Sequence, residues 1–556
     1  MSASVFKAGY LPGLNDAEVT WHRLSIGTGT STGIPVRLNT GIGLGAQQAP
    51  WQVDVPQLTI AQMTAMAQRV QHASRTHLKT MPVSDIVRVL DRATARLLDP
   101  HDVYRQQLEH LLPQATGFDA EMVRLNLNAY LQTFRGLQLH RFVAEDFANP
   151  KVLDEFQPRT QGGWTRAFGP ELLVHVWAGN VPALPMWSFV SGLLVKAGSI
   201  GKVASAEPVF ATLFARLLAE VEPRWAECFA VVWWPSNAAG HDKNHPLRQA
   251  QSNAKNIRLS AEEFASDQTT FTLADVVLAY GGNEALQAMQ ARVPVTTRFL
   301  PHGHKLSFGM VSAAALSVHK APSVARQAAL DVARYDQQGC YSPHVFYVQR
   351  GAAVSPQAFA QQLANALVAL QHKLPRRALS LEEAAQVGAW REAHEFASLQ
   401  DDAHYGSENS NTSLSDTPLN DSAQHTPLHS VLGSGTGDSA STVVYSDRAL
   451  PLTAGPLNRQ VLVVAVDSLD DVVPLIAPQR DYLQTAGLAA APEELLHLGN
   501  RLGQAGVTRI CALGAMTSPE AGWHHDGRFS LLDLVRMVDI EASTEREAER
   551  FTSYEV

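Results

Sequence analysis

A succession of short apolar runs, separated by amphipathic stretches, begins near residue 171 and constrains the fold more than any other feature. The runs at 172–177, 228–234 and 274–280 are mainly apolar over consecutive rather than alternate positions, and 199–204 is a short strand candidate between the first two. Strands that are buried on both faces show this pattern, and the stretch at 208–220 has the periodicity of an amphipathic helix. The sequence therefore predicts an α/β fold with a doubly wound parallel sheet that is covered by helices on both faces.

The same rhythm returns in the second half of the chain. The predicted elements there are helices at 323–335, 356–372, 381–398 and 493–504 and strands at 345–348, 441–445, 461–466 and 508–513. Apolar strands again alternate with helices, which is the pattern of a second doubly wound sheet. We therefore expect two α/β domains in this chain of 556 residues, which is too long for one hydrophobic core.

Composition and periodicity divide the chain into four predicted segments. They are an irregular, glycine-rich N-terminal arm (1–60), a helical lead-in with the first α/β domain (61–291), the second α/β domain (292–520) and a C-terminal tail (521–556). Residues 400–442 are rich in Ser, Asn, Thr, Asp and Gly. Because this stretch has too little apolar area to offset the entropy of ordering, we predict a disordered insert within the second domain.

Charge and hydropathy exclude several classes of partner and location. The formal net charge is −9 and no dense run of Lys and Arg occurs, so we expect no nucleic-acid binding. The uncharged stretch 172–195 is interrupted at Gly179-Asn180 and contains Pro182 and Pro185. We interpret it as a buried strand, a turn and a helix rather than a membrane span. The N-terminus lacks a basic segment followed by an apolar run, and we expect a cytoplasmic protein.

The chain has three cysteines, at Cys228, Cys340 and Cys511. Their number and spacing indicate neither a disulfide framework nor a metal site. The two adjacent histidines of the 523–527 segment are likewise interpreted as structural. A cysteine is by default a small buried apolar residue, and Cys228 lies in an apolar run. Cys340 instead lies in a polar, glycine-containing turn, where a thiol can be exposed and its pKa lowered. These residues alone leave a nucleophile and a structural thiol equally open.

Two further segments carry polar residues at the ends of predicted strands. Asn180 follows the run at 172–177, where its amide could face a substrate oxygen or cap the next helix. Lys202 lies between a strand and a helix, where it could meet the ribose or phosphate of a cofactor, or remain an exposed surface charge. Either residue by itself has an ordinary structural explanation.

Taken together, the segments resemble the aldehyde dehydrogenase superfamily, and more specifically the acyl-CoA reductase family of bacterial bioluminescence operons. The stretches that carry the resemblance are 179–185 (GNVPALP), 193–196 (LLVK), 298–305 (RFLPHGHK), 336–344 (DQQGCYSPH) and 506–510 (GVTRI). The resemblance as a whole spans roughly residues 60–520 and leaves out the insert. The resemblance implies an aldehyde-dehydrogenase-like fold with a cofactor-binding domain and a catalytic domain.

The resemblance also implies an activity and roles for individual residues. It implies reduction of an activated fatty acyl group to an aldehyde with a nicotinamide cofactor, through a thioester on Cys340 as nucleophile. Asn180 matches the residue whose amide forms an oxyanion hole together with the Cys340 backbone N–H. Lys202 matches the lysine that binds the cofactor ribose, and Gly281-Gly282 resemble the small-residue turn near the cofactor pyrophosphate.

Two departures from the superfamily pattern refine these expectations. Ser205 stands where many NAD-dependent members have a ribose-binding glutamate. With serine there, no carboxylate repels a 2′-phosphate, and this favours NADPH. Glu207 lies close enough in sequence to weaken this inference. Pro301 lies nearest the position of the glutamate that activates water in oxidising members, which suits a reductase. His302, His304 and His344 could each supply a proton, and His304 is taken as the catalytic histidine.

The resemblance leaves the substrate and partners open. An acyl-CoA or acyl adenylate is the expected substrate, an acyl-activating synthetase is a candidate partner, and a homo-oligomer is expected. One rival function is that of a short-chain CoA-acylating aldehyde dehydrogenase or an acyl-phosphate reductase. Two rivals come from different classes: a cofactor-independent acyltransferase or thioesterase that uses Cys340, and a scaffold without activity.

Overall fold

The computed structural model describes residues 5–26, 51–235, 264–408, 429–432 and 441–552. The chain forms two compact units, the first from Met1–His304 with Glu520–Val556 and the second from Lys305–Pro519. The glycine-rich clusters at 27–45 and most of the predicted insert lie outside the described residues.

Strands and helices are numbered in chain order. The strands are β1 (Phe6–Lys7), β2 (Thr20–Ile26), β3 (Trp51–Gln57), β4 (Gln157–Pro158), β5 (Trp164–Phe168), β6 (Leu172–Val176), β7 (Gly198–Lys202), β8 (Phe229–Val232), β9 (Val276–Tyr280), β10 (Arg298–His302), β11 (Leu306–Val311), β12 (Pro343–Gln349), β13 (His429–Leu432), β14 (Thr442–Ser446), β15 (Gln460–Val466), β16 (Leu483–Ala489), β17 (Arg509–Ala512) and β18 (Arg536–Ile540). The α-helices are α1 (Ile60–Ala73), α2 (Val83–Leu98), α3 (Val103–Thr116), α4 (Ala120–Gln132), α5 (Gly136–Asp146), α6 (Pro185–Leu194), α7 (Val209–Val221), α8 (Asp267–Phe271), α9 (Asn283–Gln290), α10 (Ala321–Ala333), α11 (Pro356–Gln371), α12 (Leu381–Glu408), α13 (Val472–Ile476), α14 (Pro492–Ala505) and α15 (Ala542–Ala548).

The first unit is built on a five-stranded parallel sheet with the order β10-β9-β6-β7-β8. The chain proceeds outward from β6 to β8 and then adds β9 and β10 on the other side of β6. The strand order therefore reverses between β6 and β9. In such sheets, ligands bind beyond the carboxyl ends of the strands at this reversal. The predicted α/β fold is confirmed, and four of these strands coincide with the apolar runs.

Central strands of this sheet are apolar because both of their faces are covered. Leu172, Val174 and Val176 of β6 join one hydrophobic core, which includes residues of α1. On the other face, His175 is fully buried and its ring lies 5.5 Å from that of Trp177. Burial lowers the pKa of His175 to about 3, so this imidazole is neutral and serves as a packing group.

Segments at both ends of the chain contribute further sheets to the first unit. The N-terminal segment, predicted to be irregular, contains the three-stranded sheet β1-β3-β2, and Tyr10 forms a bridge to Val231 of β8. The C-terminal segment, predicted as a tail, supplies β18, which pairs antiparallel with β5. The Asp146 carboxylate accepts hydrogen bonds from the backbone N–H groups of Leu531 and Leu532. Strand pairing of this kind is non-local, so the composition of each terminus did not reveal it.

The second unit is built on a seven-stranded sheet with the order β13-β14-β15-β12-β11-β16-β17. All neighbouring pairs are parallel except β13 and β14. Alternate residues of β15 serve two cores: Val461 and Val463 join the core that includes α10 and α11, whereas Leu462 and Val464 join the core that includes α14. This double coverage explains the continuous apolar run of β15. The second predicted α/β domain is therefore present.

Two boundaries differ from the predicted ones. The division between the units falls after His304 rather than after residue 291, because β10 pairs with β9 in the sheet of the first unit. The insert predicted as disordered at 400–442 contains regular structure in two places, one at its start and one within it. Helix α12 continues to Glu408, and β13 gains hydrogen bonds from pairing with β14. The remainder of that insert lies outside the described residues.

Among the described residues, no helix is both long and apolar enough to cross a membrane. The uncharged stretch 172–195 forms β6, a turn and α6, as predicted.

Gly201 of β7 provides a test of how tightly the first sheet is packed. A Cβ atom at Gly201 would lie 1.8 Å from the Trp177 ring, and a hydrogen bond from Trp177 Nε1 to Ser188 Oγ holds that ring in place. We expect Gly201→Ala to lower the free energy of unfolding by about 3 kcal/mol, the upper end for overpacking. The matched control is Gly388→Ala in α12, where the new methyl meets no atom within 4 Å. Urea denaturation should show a neutral or slightly stabilising effect of the control; equal effects of both changes would contradict this packing.

Candidate active site

Two of the predicted segments meet at the carboxyl edge of the first unit's sheet. β6 and β9 are neighbours, with Val176 paired to Ala279, so the turns after these strands emerge side by side. Asn180 lies in the first of these turns and is exposed, and Gly281 and Gly282 lie in the second. All three residues therefore lie at the strand-order reversal, where open α/β sheets bind ligands.

Asn180 does not cap the following helix. Helix α6 has Leu184 as its N-cap residue, with no side-chain cap hydrogen bond. The helix-cap explanation of Asn180 is therefore wrong. The neighbouring Gly179 packs closely on the turn after β7, because a Cβ atom there would lie 3.0 Å from that of Ala204. The turn that contains Asn180 is thus in direct contact with the segment that follows Lys202.

Lys202 is buried rather than exposed. It is the last residue of β7, its Nζ lies 3.7 Å from Asp267 Oδ1, and it lies over the Trp234 ring. The Trp234 indole N–H also donates to Asp267, at 2.6 Å. Burial lowers the pKa of Lys202, Arg292 acts in the same direction, and Asp267 opposes both. The surface-charge explanation of Lys202 is wrong, and its ammonium group is already paired with a carboxylate of the first unit.

Ser205 and Glu207 point to different environments. Ser205 is exposed, and its hydroxyl accepts a hydrogen bond from Trp233 Nε1 at 3.0 Å. Glu207 is 1% exposed, and its Oε1 accepts the backbone N–H groups of Val209 and Phe210 at the start of α7. Burial raises the pKa of Glu207 to about 7, although these two hydrogen bonds oppose the rise. Glu207 therefore caps a helix and does not replace the missing carboxylate at position 205.

The turn at Gly281-Gly282 has the space that a phosphate group needs. A Cβ atom at Gly282 would meet no protein atom within 4 Å, and one at Gly281 would meet none closer than 3.9 Å. The packing of the protein itself therefore does not require glycine here. Gly282 is the N-cap residue of α9 and provides no side-chain cap, so the first N–H groups of α9 face this open turn. Open space and helix N–H groups fit the pyrophosphate of a nicotinamide cofactor.

His304 is exposed, and its backbone N–H donates to Asn283 Oδ1 at 3.1 Å. His302, at the end of β10, is more organised than His304. Its Nδ1 lies 2.8 Å from Asp526 Oδ2, and its ring contacts those of both Tyr280 and His525, with centroid distances of 4.8 and 4.3 Å. Because Asp526 lies far away in sequence, no pattern around His302 predicted this pair. A carboxylate partner of this kind fixes the tautomer and orientation of an imidazole.

His302 and His525 line a small cleft in the first unit, together with residues of α6, β9 and β10. His302, His525 and Asp526 also place potential metal-ligand atoms within 4.8 Å of one another. The two imidazole planes are only 12° from parallel, with centroids 4.3 Å apart. Their in-plane lone pairs therefore do not converge on one ion, as a tetrahedral site requires. The arrangement suits a hydrogen-bonded pair beside a cleft rather than a metal site.

Cys340 lies in the second unit, in the turn that leads directly into β12. This position is at the amino-terminal edge of the seven-stranded sheet. The Ser307 hydroxyl donates to the Cys340 carbonyl at 2.8 Å and accepts the Thr485 backbone N–H at 3.1 Å. The Tyr341 ring packs so closely on Gly339 that a Cβ atom there would lie 2.3 Å from it. The half-buried Cys340 thus belongs to a turn that its neighbours hold on both sides.

The other two thiols and His344 have structural surroundings. Cys228 is fully buried, and burial raises its pKa to about 12. Cys511 is half-buried on β17 and packs against a hydrophobic core. His344 is buried, and its Nδ1 accepts the Gly455 backbone N–H at 3.0 Å, which requires an unprotonated nitrogen. Among the three cysteines, Cys340 therefore has the setting of a reactive residue.

Comparison with known sequences identifies the family that these features resemble. The family model described as acyl-CoA reductase (LuxC) matches residues 78–245, 240–416 and 422–537. A long-chain acyl-protein thioester reductase of Aliivibrio fischeri is 26% identical over 435 residues, which is 76% of this chain and 75% of that protein. The reductase of the same name from Vibrio harveyi is 24% identical over 475 residues, 85% of each chain.

Comparison with solved structures identifies the fold. A mutant of aldehyde dehydrogenase C from Pseudomonas syringae, solved with NAD+ and octanal, has a TM-score of 0.64 at 12% identity and covers 96% of both chains. An NADP-dependent glyceraldehyde-3-phosphate dehydrogenase from Bacillus halodurans, solved with NADP, has a TM-score of 0.59 at 14% identity and covers 93% of this chain and 95% of its own. The aldehyde-dehydrogenase-like fold implied by the sequence resemblance is therefore confirmed.

The pKa of Glu207 makes a testable contribution to stability. The pKa of this carboxyl is about 4.5 in the unfolded chain and about 7 in the folded one, so the folded state favours the protonated form. The contribution of Glu207 to the free energy of unfolding therefore falls as the pH rises through this range. Between pH 5 and pH 8 we expect Glu207 to cost about 2 kcal/mol of unfolding free energy. The difference in stability between wild type and Glu207→Gln, measured by urea denaturation, should therefore change by about this amount. Parallel pH profiles would contradict the assigned environment.

The three thiols should differ in their accessibility to alkylation. At pH 8 a thiol with a pKa of about 12 has roughly one thiolate in 10⁴, and Cys228 is also fully buried. We expect iodoacetamide to modify Cys340 in the native protein while Cys228 is modified only after unfolding in urea. Peptide mass spectrometry measures each site separately. Native labelling of Cys228 at the rate of Cys340 would show that these environments are misassigned.

Proposed function

This chain belongs to the acyl-CoA reductase (LuxC) family, and on that premise we propose that it reduces a fatty acyl thioester to the aldehyde with NADPH, through an S-acyl intermediate on Cys340. The observation that carries the proposal is the setting of Cys340. It is a half-buried thiol in a braced turn, whereas Cys228 is fully buried and Cys511 packs on a core. A nucleophilic thiol needs access and a fixed position, and the turn supports both requirements.

In the first step, the Cys340 thiolate attacks the acyl carbonyl carbon. A carbon–sulfur bond forms to Cys340, and the bond between the acyl carbon and the leaving group breaks. The leaving group is the CoA thiolate for an acyl-CoA, and AMP, through its phosphate oxygen, for an acyl adenylate. Asn180 is proposed as the amide donor to the substrate oxygen, with the Cys340 backbone N–H as the second donor. One such donor typically contributes about 3 kcal/mol to transition-state stabilisation. The position of Asn180 supports this role, since it lies in the turn after β6 at the strand-order reversal, where open α/β sheets bind ligands.

Protection of the thioester from water favours reduction over hydrolysis. Oxidising members of the superfamily that this sequence resembles have a glutamate near the position of Pro301. A proline in β10 has no group that can activate water. We propose that a histidine of this segment donates the proton. His304 is the residue expected from the sequence, and His302 is the alternative, because Asp526 orients its imidazole.

Residues of the first unit are proposed to bind the nicotinamide cofactor. Gly281, Gly282 and the first N–H groups of α9 would hold the pyrophosphate, and Lys202 and Ser205 would lie near the ribose. When bound, NADPH supplies the hydride that reduces the acyl group. The preference for NADPH rests on Ser205 and on the inward orientation of Glu207, since Lys202 is paired with Asp267.

A long acyl chain is proposed because the related proteins are named long-chain acyl-protein thioester reductases. We propose acyl-CoA or an acyl adenylate as the donor, and an acyl-activating synthetase as a partner that transfers the acyl group to Cys340. A cytoplasmic homo-oligomer is also proposed, from the resemblance to the superfamily. The rival functions differ in turnover without NADPH and in the preferred chain length.

The first test combines substrate length with removal of the thiol. We expect NADPH oxidation to be fastest with long-chain acyl-CoA and to fall at least about 10³-fold in Cys340→Ala, because loss of a covalent nucleophile removes the acylated intermediate. Cys511→Ala is the matched control and should retain wild-type turnover. A maximum at short chains would favour a CoA-acylating dehydrogenase. Thioester cleavage without NADPH would favour a thioesterase, and full activity of Cys340→Ala would exclude the proposed intermediate.

The second test concerns the choice of cofactor. Ser205→Glu introduces a carboxylate at an exposed position, where it should repel a 2′-phosphate and accept hydrogen bonds from the ribose hydroxyls of NADH. We expect the ratio of kcat/KM for NADPH to that for NADH to fall by about tenfold or more. Ser205→Ala, which removes the hydroxyl without adding charge, should leave the ratio nearly unchanged. An unchanged ratio in Ser205→Glu would contradict the placement of the ribose beside position 205.

A further inference from the structure

Two stretches of the second unit have an unusual backbone conformation. Tyr335, Asp336 and Gln337, which precede Cys340, have φ values of 48°, 50° and 65°. Three residues before β15 repeat the pattern: Leu457, Asn458 and Arg459 have φ values of 60°, 55° and 66°. None of the six is glycine. Each therefore adopts a left-handed conformation that L-residues rarely adopt, and a run of three is maintained only if surrounding contacts compensate for its strain.

The two stretches hold each other through hydrogen bonds between them. The Asn458 backbone N–H donates to the Asp336 carbonyl at 3.0 Å. The Gln460 backbone N–H donates to Gln337 Oε1 at 2.9 Å, and Gln337 Nε2 donates to the Pro343 carbonyl at 2.8 Å. Gln337 thereby connects β15 to the start of β12, on the far side of Cys340. We call residues 335–337 and 457–459 the clasp.

A buried ion pair lies at the centre of the clasp. Arg459 Nε donates to Asp336 Oδ1 at 2.7 Å, and both side chains are 0% exposed. The other nitrogens of Arg459 donate to Gln371 Oε1 at 2.9 Å and to the Leu374 carbonyl at 2.7 Å. The backbone N–H of Arg377 donates to Asp336 Oδ2. The guanidinium group thus ties the clasp to the end of α11 and to the segment after it.

Short connections carry this rigidity to the thiol. The clasp ends at Gln337, three residues before Cys340, and Gln338 Nε2 donates back to Asn458 Oδ1 at 3.2 Å. Gly339 is fixed by the Tyr341 ring, and Ser307 holds the Cys340 carbonyl. The chain before the thiol and the strand after it are therefore anchored to the same group of residues.

We infer that Arg459 and Asp336 are positioning residues, whose ion pair holds the clasp in its left-handed conformation and thereby fixes the Cys340 thiol for attack on the acyl carbonyl. This inference rests on the proposed role of Cys340 as nucleophile. Neither side chain is exposed, so neither contacts the substrate itself. Their effect should therefore appear in the rate of acylation and not in the affinity for the acyl donor. Misplacement of a reacting group by about 1 Å can cost 10²-fold in rate.

The test compares variants that separate positioning from folding. Arg459→Lys keeps the positive charge but loses the planar fork, whose nitrogens donate to four acceptors. The double variant Asp336→Asn/Arg459→Met removes both buried charges together, which avoids an unpaired charge and limits the loss of stability. Leu502→Ala in α14 is the matched control, because it removes a fully buried side chain from the other core of the second unit. For each variant, the urea midpoint, the single-turnover rate of S-acylation of Cys340 by acyl-CoA and the Kd for that donor are measured.

We expect both clasp variants to acylate Cys340 about 10- to 100-fold more slowly than wild type, with an unchanged Kd. Leu502→Ala should lower the urea midpoint without slowing acylation. Wild-type rates in a folded double variant would overturn the inference, as would a decrease in Leu502→Ala that equals the decrease in the clasp variants. If wild type itself forms no adduct on Cys340, the proposed function fails. Normal acylation in wild type and both clasp variants contradicts the positioning role alone.

Discussion

The buried ion pair between Arg459 and Asp336 is the interaction on which the second unit's candidate site depends. Removing a guanidinium and a carboxylate from water is costly, and attraction between them repays that cost only if their remaining donors and acceptors are also satisfied. Here they are, through Gln371, Leu374 and Arg377. Loss of one partner from such a pair typically costs about 3–5 kcal/mol. That cost arises because an uncompensated charge is left buried, so it is not a net stabilisation by the pair. The six left-handed residues are strained by roughly 1–2 kcal/mol each, so the pair and the other hydrogen bonds of the clasp hold them together.

The proposed site residues lie at different edges of the two sheets. At the carboxyl edge of the first sheet, Lys202 ends β7, and Asn180 and Gly281-Gly282 follow β6 and β9. Helix N-termini at such an edge favour phosphate groups. Cys340 precedes β12, at the amino edge of the second sheet. Contacts from other parts of the second unit hold the turn that contains Cys340. The clasp, Ser307 and Tyr341 hold it.

Local patterns predicted most of the fold, whereas the role of Cys340 as nucleophile came from the family resemblance. Runs such as 172–177 and 461–466 predict their strands because burial on both faces leaves few polar positions, and the polar turn around Cys340 stands out against them. Long-range contacts were not predictable in this way. β10 was assigned to the wrong domain because its apolar residues do not specify which sheet it joins. The pairing of His302 with Asp526 and that of Arg459 with Asp336 join residues more than 100 positions apart.

Residue identity also left burial undetermined at individual site residues. Lys202 resembles an exposed charge in the sequence, yet Asp267 and Trp234 enclose it. Glu207 lies two residues from Ser205 but faces inward to cap α7. The left-handed conformation of residues 335–337 and 457–459 has no sequence marker, because glycine, the usual residue in this conformation, is absent from both stretches. In each case the contacts that decide the outcome come from other elements.

The central claim is that the acyl group passes through Cys340, and the chemical competence of that intermediate tests it most directly. Protein mixed with a long-chain acyl-CoA in the absence of NADPH should release CoA and carry one acyl thioester on the Cys340 peptide. Addition of NADPH to the isolated adduct should then discharge it to one equivalent of aldehyde, at least as fast as steady-state turnover. An adduct that reacts more slowly than turnover, or aldehyde formation while Cys340 remains unmodified throughout, would contradict the account.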